Sequence, residues 1–346
     1  MVSQQGPLAG TRIVEFAGIG PAPFAVMLLA DMGASVVRIE RSGGDWPDVP
    51  IVSRGRASLT LDLRSEADLD TARAALGAAD VLVEGYRPGV MERLGLGPAE
   101  VEAINPRLIY GRMTGWGQTG PRALAAGHDI NYVGLTGMLA AIGNRVPLNL
   151  LGDYGGGGAY LALGILAALV ERGQSGRGQV IDAAIVDGSA SMMAPILGMM
   201  AAGVISADPS RSILSGDAPF YRTYRCADGG FLAVGPLEPR FRRMMTDGLG
   251  LPEGSADKDN SLDAIFASKS RAEWCAVFDG TDACVSPVLG LDEADSDPHL
   301  AARGTYTRGP DGLEPAPAPR FSRTACALPS SEDGRERLRT WGAFPA

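Results

Sequence analysis

Residues 11–39 read TRIVEFAGIGPAPFAVMLLADMGASVVRI, and this stretch decides the fold class. Residues 11–17 form an apolar, β-branched run of strand length. Pro21 stands where a helix begins, and residues 24–32 continue with helical spacing. Residues 35–39 are a second strand. The same alternation runs on: strands at 58–63, 81–84 and 108–113, with a helix at about 66–78. Short apolar strands separated by helices predict an α/β fold whose parallel sheet is covered on both faces.

Beyond Gly152 the pattern changes. Residues 159–171 predict one apolar helix and 183–202 another, rich in Ala and Met. Residues 206–218 are polar and turn-rich and are taken as a linker. A hairpin at 221–235, turning at Ala227-Asp228-Gly229-Gly230, opens a smaller α+β domain over 219–300. Helices are expected there at 238–249, 262–267 and 271–278. Residues 1–205 form the large domain, and 301–309 a second linker.

Composition excludes several functions. The chain has 346 residues, with 40 acidic and 31 basic side chains, for a formal charge of −9. That length buries a large core. The acidity argues against nucleic acid, which requires a basic face. Of two lysines, Lys258 and Lys269, neither follows a Gly, so there is no Gly-Lys-Ser/Thr phosphate loop. The two histidines, His128 and His299, cannot make a His-Glu-x-x-His metal pair, and no metal is expected. Cys226, Cys275, Cys284 and Cys326 show no CxxC spacing, which suggests buried free thiols in a reducing compartment. The N-terminal residues lack the pattern of a signal peptide, the C-terminal ones are not a peroxisomal address, and no apolar stretch reaches the roughly 20 residues of a membrane span. A cytoplasmic location and no membrane partner are therefore expected.

Three acidic or basic groups stand in unusual settings. His128 lies in Gly127-His128-Asp129 before an apolar stretch, where a lone His is most often structural. Asp153 lies between apolar residues and Gly155–Gly158, where a carboxylate requires a partner or a task; helix capping is the plain alternative. Glu238 opens a predicted helix, where capping is again the plain reading. The pair Gly18 and Gly20 lacks the third glycine of a dinucleotide fingerprint.

The residues also carry a resemblance. Residues 6–41 resemble the N-terminus of the family III CoA-transferases, the CaiB/BaiF superfamily. VLVEGYRPGVMERLGLG (81–97), RMTGWGQTGP (112–121) and AGHDINY (126–132) narrow it to the α-methylacyl-CoA racemase branch. The agreement continues in order through LNLLGDYGGG, GQVIDAAIVDGS, AVGPLEP and DACVSPVL to PAPRFSRTA at 317–325.

The resemblance implies a Rossmann-like large domain, to which 310–346 return, and an interlocked homodimer. It implies an acyl-CoA substrate, with no cofactor beyond the CoA that the substrate carries, and 1,1-proton transfer at the carbon α to the thioester. His128 and Asp153 match the family's acid/base pair, and Glu238 its partner of the His, contributed by the second subunit. Arg41 and Arg93 match the residues facing the CoA phosphates, with Gly85, Tyr86 and Arg87 on the adjoining loop. Leu61, Leu63 and Arg64 match the adenine end, Ile19 the pantetheine, and Gly127, Asp129 and Tyr132 complete the set. Met113, Met192 and Met193 are candidates for the acyl surface, although a Met stripe is more often core. Two stretches depart from the pattern: 42–50 is unusual, and 251–264 is short.

The chemistry agrees. An α-proton beside a thioester is weakly acidic, so its removal requires a close base and stabilisation of the enolate oxygen. Backbone N–H groups of residues 153–157, read as a helix start, are candidate donors. Two other readings remain: a family III CoA-transferase using Asp153 as nucleophile, and a non-catalytic acyl-CoA-binding protein. By the family pattern, His128 separates the racemases from the transferases.

Overall fold

The computed structural model describes residues 5–42, 49–206, 208, 212–252, 262–328 and 332–344. Most of 42–50 and 251–264, the two stretches that depart from the family pattern, therefore lies outside the described residues. The chain divides into two compact units, one of residues 1–138, 146–193 and 307–346, the other of 139–145 and 194–306.

The first unit is built on β1 (Arg12–Phe16), β2 (Ser35–Glu40), β3 (Arg56–Thr60), β4 (Val81–Glu84), β5 (Ile109–Thr114) and β6 (Val180–Ala184). They lie side by side in the order β3-β2-β1-β4-β5-β6, and the short strand Glu332–Asp333 adds to β3 as a seventh. Every pairing is parallel. Side chains alternate between two buried faces. Ile13, Val36, Val81 and Val83 enter one apolar cluster, while Val14, Phe16, Val37 and Leu82 enter the other. This is the doubly covered parallel sheet that the strand pattern predicts.

Helix α1 (Pro21–Asp31) starts on Gly20 at φ 71°, a conformation that suits glycine, with Pro21 at its first position. Helices α2 (Glu66–Ala78), α3 (Val90–Arg93) and α4 (Pro98–Ile104) follow β3 and β4. Strand β3 begins two residues before the predicted 58–63. Its first residue is Arg56, a charge that reads as loop, but its guanidinium donates to Glu15 at 2.9 Å with both side chains buried. The C-terminal helix Gly334–Thr340 docks on the sheet, where Arg337 and the Trp341 indole both donate to the Ser35 hydroxyl.

The predicted helix at 159–171 is longer than expected. A π-helical stretch, Leu150–Ala159, runs directly into α6 (Tyr160–Ser175), making 26 helical residues. By length and composition alone that run reaches a membrane span, unlike any apolar stretch counted in the sequence. Its Gly156, Gly157, Gly158, Leu161 and Ile165 are buried. A β-carbon on Gly157 would stand 2.9 Å from Pro21 of α1, so the glycine tract serves close helix packing.

The predicted helix at 183–202 is also corrected. Residues 180–184 are strand β6, followed by α7 (Ile185–Met192) and α8 (Ala194–Ala201). Pro195 lacks an N–H and obstructs the preceding turn, so one apolar run becomes two helices. The break between the units falls there, at Met193, rather than at 205.

The second unit holds an antiparallel sheet of β7 (Arg222–Arg225), β8 (Phe231–Val234) and β9 (Val285–Val288), in that order. Strand β9 escapes the sequence pattern because Pro287 interrupts it, which an edge strand tolerates. Helices α9 (Pro239–Gly248), α10 (Leu262–Phe266) and α11 (Arg271–Phe278) pack Trp274, Phe266 and Met245 against it. The cysteines are unbridged, but of the four only Cys226 is buried.

Candidate active site

A doubly wound sheet binds ligands outside the carboxyl ends of its strands, where the strand order reverses. Here the order reverses between β1 and β4. Residues 17–20 leave β1 at that point, and Gly85, Tyr86 and Arg87 leave β4. A β-carbon on Gly85 would stand 3.5 Å from that of Ala22 and 3.8 Å from the Met113 carbonyl, so the ends of β1, β4 and β5 converge.

Asp153 comes to this edge from the π-helical stretch. Its Oδ2 lies over Gly20, 3.5 Å from where a β-carbon would be. The Asn149 side-chain amide donates to the same oxygen at 3.1 Å. The Asp153 backbone N–H donates to Asp129 Oδ1 at 2.7 Å. Asp129 is buried, and its Oδ2 has no hydrogen-bond partner among the described residues. Burial is the main cause that raises the Asp153 carboxyl above its ordinary value. The Asn149 hydrogen bond opposes it, the Asp129 charge adds to it, and His128 acts in the lowering direction. Asp153 is not a cap: Asn149 holds that position.

His128 is exposed at the start of α5 (Asp129–Leu135), and its backbone N–H donates to the Asn131 Oδ1 at 3.0 Å. Tyr132, one turn on, donates its hydroxyl to the Gly127 carbonyl and sets its ring edge-on to Trp116 at 4.7 Å. A β-carbon on Gly127 would stand 2.8 Å from that ring. Arg87, Asp129 and Asp153 all act on the Tyr132 hydroxyl, which burial chiefly raises. The structure thus gathers His128, Asp129, Tyr132, Asp153 and Arg87 at one edge.

The cationic residues line the rim of the same edge. Arg41 follows β2 and acts on both Tyr86 and Asp62. Arg64 follows β3 and is 86% exposed, with Asp62 accepting from its Nε and a terminal nitrogen at 2.9 Å each. Arg93 is exposed on α3 and folds over Gly89. Tyr86 packs edge-on to Phe16 at 6.4 Å. Ile19 is half exposed and Leu63 half buried, whereas Leu61 is buried in the core.

Other expectations are corrected. Met113 is buried in the core between strand and helix and presents only its carbonyl to the edge. Met192 and Met193 are half buried at the end of α7, with Met192 against Gly155. Of the N–H groups of residues 153–157, that of Asp153 falls in the first helical turn and is already engaged, and the glycines lie beyond the start. Helix begins at Leu150, so Asp153 donates to Asp129, Tyr154 donates to the Asn149 carbonyl, and the glycines lie within the helix. Asn149 was missed in sequence because the four glycines that follow disguise the helix in which it lies one turn before Asp153.

In the second unit, Glu238 is exposed at the start of α9 and makes no side-chain cap. A cleft of about 750 Å³ opens three residues before it, lined by Arg145, Tyr221, Val234, Gly235, Cys284 and Ser286. Partial desolvation, then the Glu238 charge, pushes the Cys284 thiol up, although the residue is exposed. No cluster of His, Cys, Asp and Glu suited to a metal exists among the described residues.

Comparison with known proteins agrees with this fold. Residues 8–332 match the family model for CoA-transferase family III. The chain is 46% identical over 342 residues to the Mus musculus protein named alpha-methylacyl-CoA racemase, covering 94% of this chain and 89% of that one. It is 44% identical over 339 residues to the Homo sapiens protein of the same name, covering 93% and 88%. Among solved structures, a CaiB/BaiF family protein from Brucella suis superposes with a TM-score of 0.79 at 25% identity, over 98% of this chain and 99% of that one.

Proposed function

The chain belongs to CoA-transferase family III, and on that footing we propose that it is an isomerase, an α-methylacyl-CoA racemase. It interconverts the two configurations at the α-carbon of a 2-methylacyl-CoA by removing a proton from one face and returning one to the other.

The observation that carries this reading is the Asp153 carboxyl, half-buried at the sheet edge over Gly20 and raised above its ordinary value. An acid/base group that must hold a proton in one direction gains from that shift. A nucleophile does not, because it attacks as the ionised form. What weighs against a CoA-transferase is His128 within Gly127-His128-Asp129, together with the 46% and 44% identity to two proteins named alpha-methylacyl-CoA racemase. His128 supplies the second group, and Asp129 fixes the backbone beneath Asp153. Arg41 and Arg93 take the phosphates of CoA, with Arg87 on the adjoining loop and Arg64 at the adenine end; Arg is favoured for forked phosphate contacts.

Exposed apolar side chains on the first unit, including Leu148, Leu163 and Val170, suit burial by a second copy of the chain. In that homodimer Glu238 of the second copy orients His128. No resident cofactor, metal, nucleic acid or membrane belongs to this reading, and its location is cytoplasmic.

The test is incubation of one enantiomer of a 2-methylacyl-CoA in D2O. Exchange of the α-proton with inversion, lost in His128→Ala and Asp153→Ala, is the expected result. No exchange, with CoA passing to an added free acid and Asp153 becoming covalently labelled, makes the protein a transferase. Binding of CoA thioesters with neither reaction makes it a binding protein.

A further inference from the structure

Between the sheet and the cationic rim lies a charged bridge that the proton-transfer chemistry does not use. Glu84, the last residue of β4, is buried. Its Oε1 accepts from the Arg112 Nε on the neighbouring strand β5 at 2.9 Å. Its Oε2 accepts the backbone N–H of Tyr86 at 2.7 Å. The two terminal nitrogens of Arg112 donate to the two oxygens of Glu92 on α3, at 2.8 and 3.2 Å. One guanidinium thus engages three nitrogens and ties β5 to the end of β4 and to α3.

The residues so tied are the rim. Tyr86 is fixed through its own N–H, Arg87 follows it, and Arg93 is the next residue after Glu92. Two residues before Arg112 on β5, Tyr110 sits with its ring 5.6 Å from the guanidinium and donates its hydroxyl to the Leu96 carbonyl at 2.9 Å, pinning the chain beyond α3. Loop 85–96 is therefore anchored at three points from beneath.

Stability does not account for the outer half of this bridge. Glu92 has a side chain 41% exposed, so solvent screens its half of the pair and its contribution to stability is discounted. A forked, two-bond contact contributes geometry instead. Arg112 is itself 7% exposed and each of its three nitrogens already donates to a carboxylate, so it is not read as a phosphate ligand.

We propose that the Glu84–Arg112–Glu92 bridge is a positioning device that holds the loop bearing Tyr86, Arg87 and Arg93 in register for the phosphate end of the CoA moiety. This rests on the reading that CoA binds at this edge. Glu84, Arg112 and Glu92 are positioning residues that touch no substrate.

The experiment compares CoA with pantetheine, which lacks the whole nucleotide end, phosphates and adenosine together. Glu92→Gln removes the outer contact from a solvent-facing position and leaves the buried Glu84–Arg112 pair. Its affinity for CoA, and its KM for a 2-methylacyl-CoA, are expected to weaken about 5–10-fold, about 1–1.4 kcal/mol. Its kcat stays within about twofold, by the same logic that separates binding from chemistry. Affinity for pantetheine and turnover of the matching acyl-pantetheine thioester, which lack the nucleotide phosphates, are unchanged. Arg112→Lys keeps the charge without the fork and is expected to lose affinity for CoA similarly, whereas Glu92→Asp recovers part of it. Equal losses on CoA and pantetheine, a fall confined to kcat, or wild-type affinity for CoA in Glu92→Gln would each overturn the proposal. If the wild-type protein racemises nothing yet binds CoA, the catalytic reading fails while the comparison of CoA with pantetheine still decides this one. If the wild-type protein binds no CoA, both fail.

Discussion

The floor and the rim of the site are built on opposite terms. On the floor, Asp153 is held by one side-chain amide, one backbone contact to a buried Asp129, and glycines that let helices close on it. On the rim, Arg64 and Arg93 stand in solvent. An acid/base group gains from burial because desolvation moves its pKa toward the working range. Phosphate-binding cations gain from staying hydrated and movable until the ligand arrives. The floor is therefore intolerant of added atoms, whereas the rim sets solvated side chains, tuned by salt, on a loop held from beneath.

The largest effect expected from breaking this contrast is on the floor. Asp153→Ala is expected to lower kcat for racemisation by about 10²–10⁴-fold, the usual contribution of a positioned acid/base group, with little change in affinity for CoA. Loss of CoA affinity instead, at unchanged kcat, would place Asp153 on the rim. Next comes the packing beneath it. A β-carbon on Gly188 would stand 1.8 Å from the Gly156 carbonyl oxygen, so Gly188→Ala is expected to cost about 1–3 kcal/mol as overpacking. Denaturant melts measure this; an unchanged midpoint would mean that the π-helical stretch and α7 are free to move apart.

The same contrast explains what the sequence showed. The strands of the first unit were legible because Ile13, Val36 and Val81 face one buried layer and Val14, Val37 and Leu82 the other, leaving nearly continuous apolar runs. The choice of rim arginines came from the family resemblance; composition alone said only that, in a chain with two lysines, phosphate contacts would fall to Arg. The floor was less legible than the strands. Gly155–Gly158 read as a helix start because glycine is a poor helix former, but close packing against Pro21 and Ser189 outweighs that propensity. The bridge from Glu84 through Arg112 to Glu92 was hidden because its members are 28 and 20 residues apart, and charges within or beside strands read as surface. β9 was hidden by Pro287.

A smaller effect is expected on the rim. Arg93→Ala is expected to raise KM for a 2-methylacyl-CoA by about tenfold, about 1.4 kcal/mol, with kcat nearly unchanged. The difference from wild type narrows as salt screens the phosphates. A kcat loss insensitive to salt would show that Arg93 belongs with the floor.

The smallest effect sharpens the floor itself, through pH. The Asp153 carboxyl is raised by burial first; the Asn149 amide lowers it and the Asp129 charge raises it. Asn149→Ala removes a donor that favours the ionised form, so the pKa moves further up. Asp129→Asn removes a like charge, so it moves down. In the direction where Asp153 donates the proton, activity falls as pH rises through its pKa, so that limb moves to higher pH in Asn149→Ala and to lower pH in Asp129→Asn. Stability follows the same sign. A native pKa above the unfolded one means that the native state binds more protons between the two values. The contribution of Asp153 is thus fully present below the unfolded value and is lost as pH rises through the native one. Asp153→Asn is therefore expected to be more stable than wild type at neutral pH, with the advantage fading in acid. Denaturant melts of the two proteins across pH 3–8 measure it, and an advantage that grows in acid would show that Asp153 is ionised at little cost and is not the proton carrier.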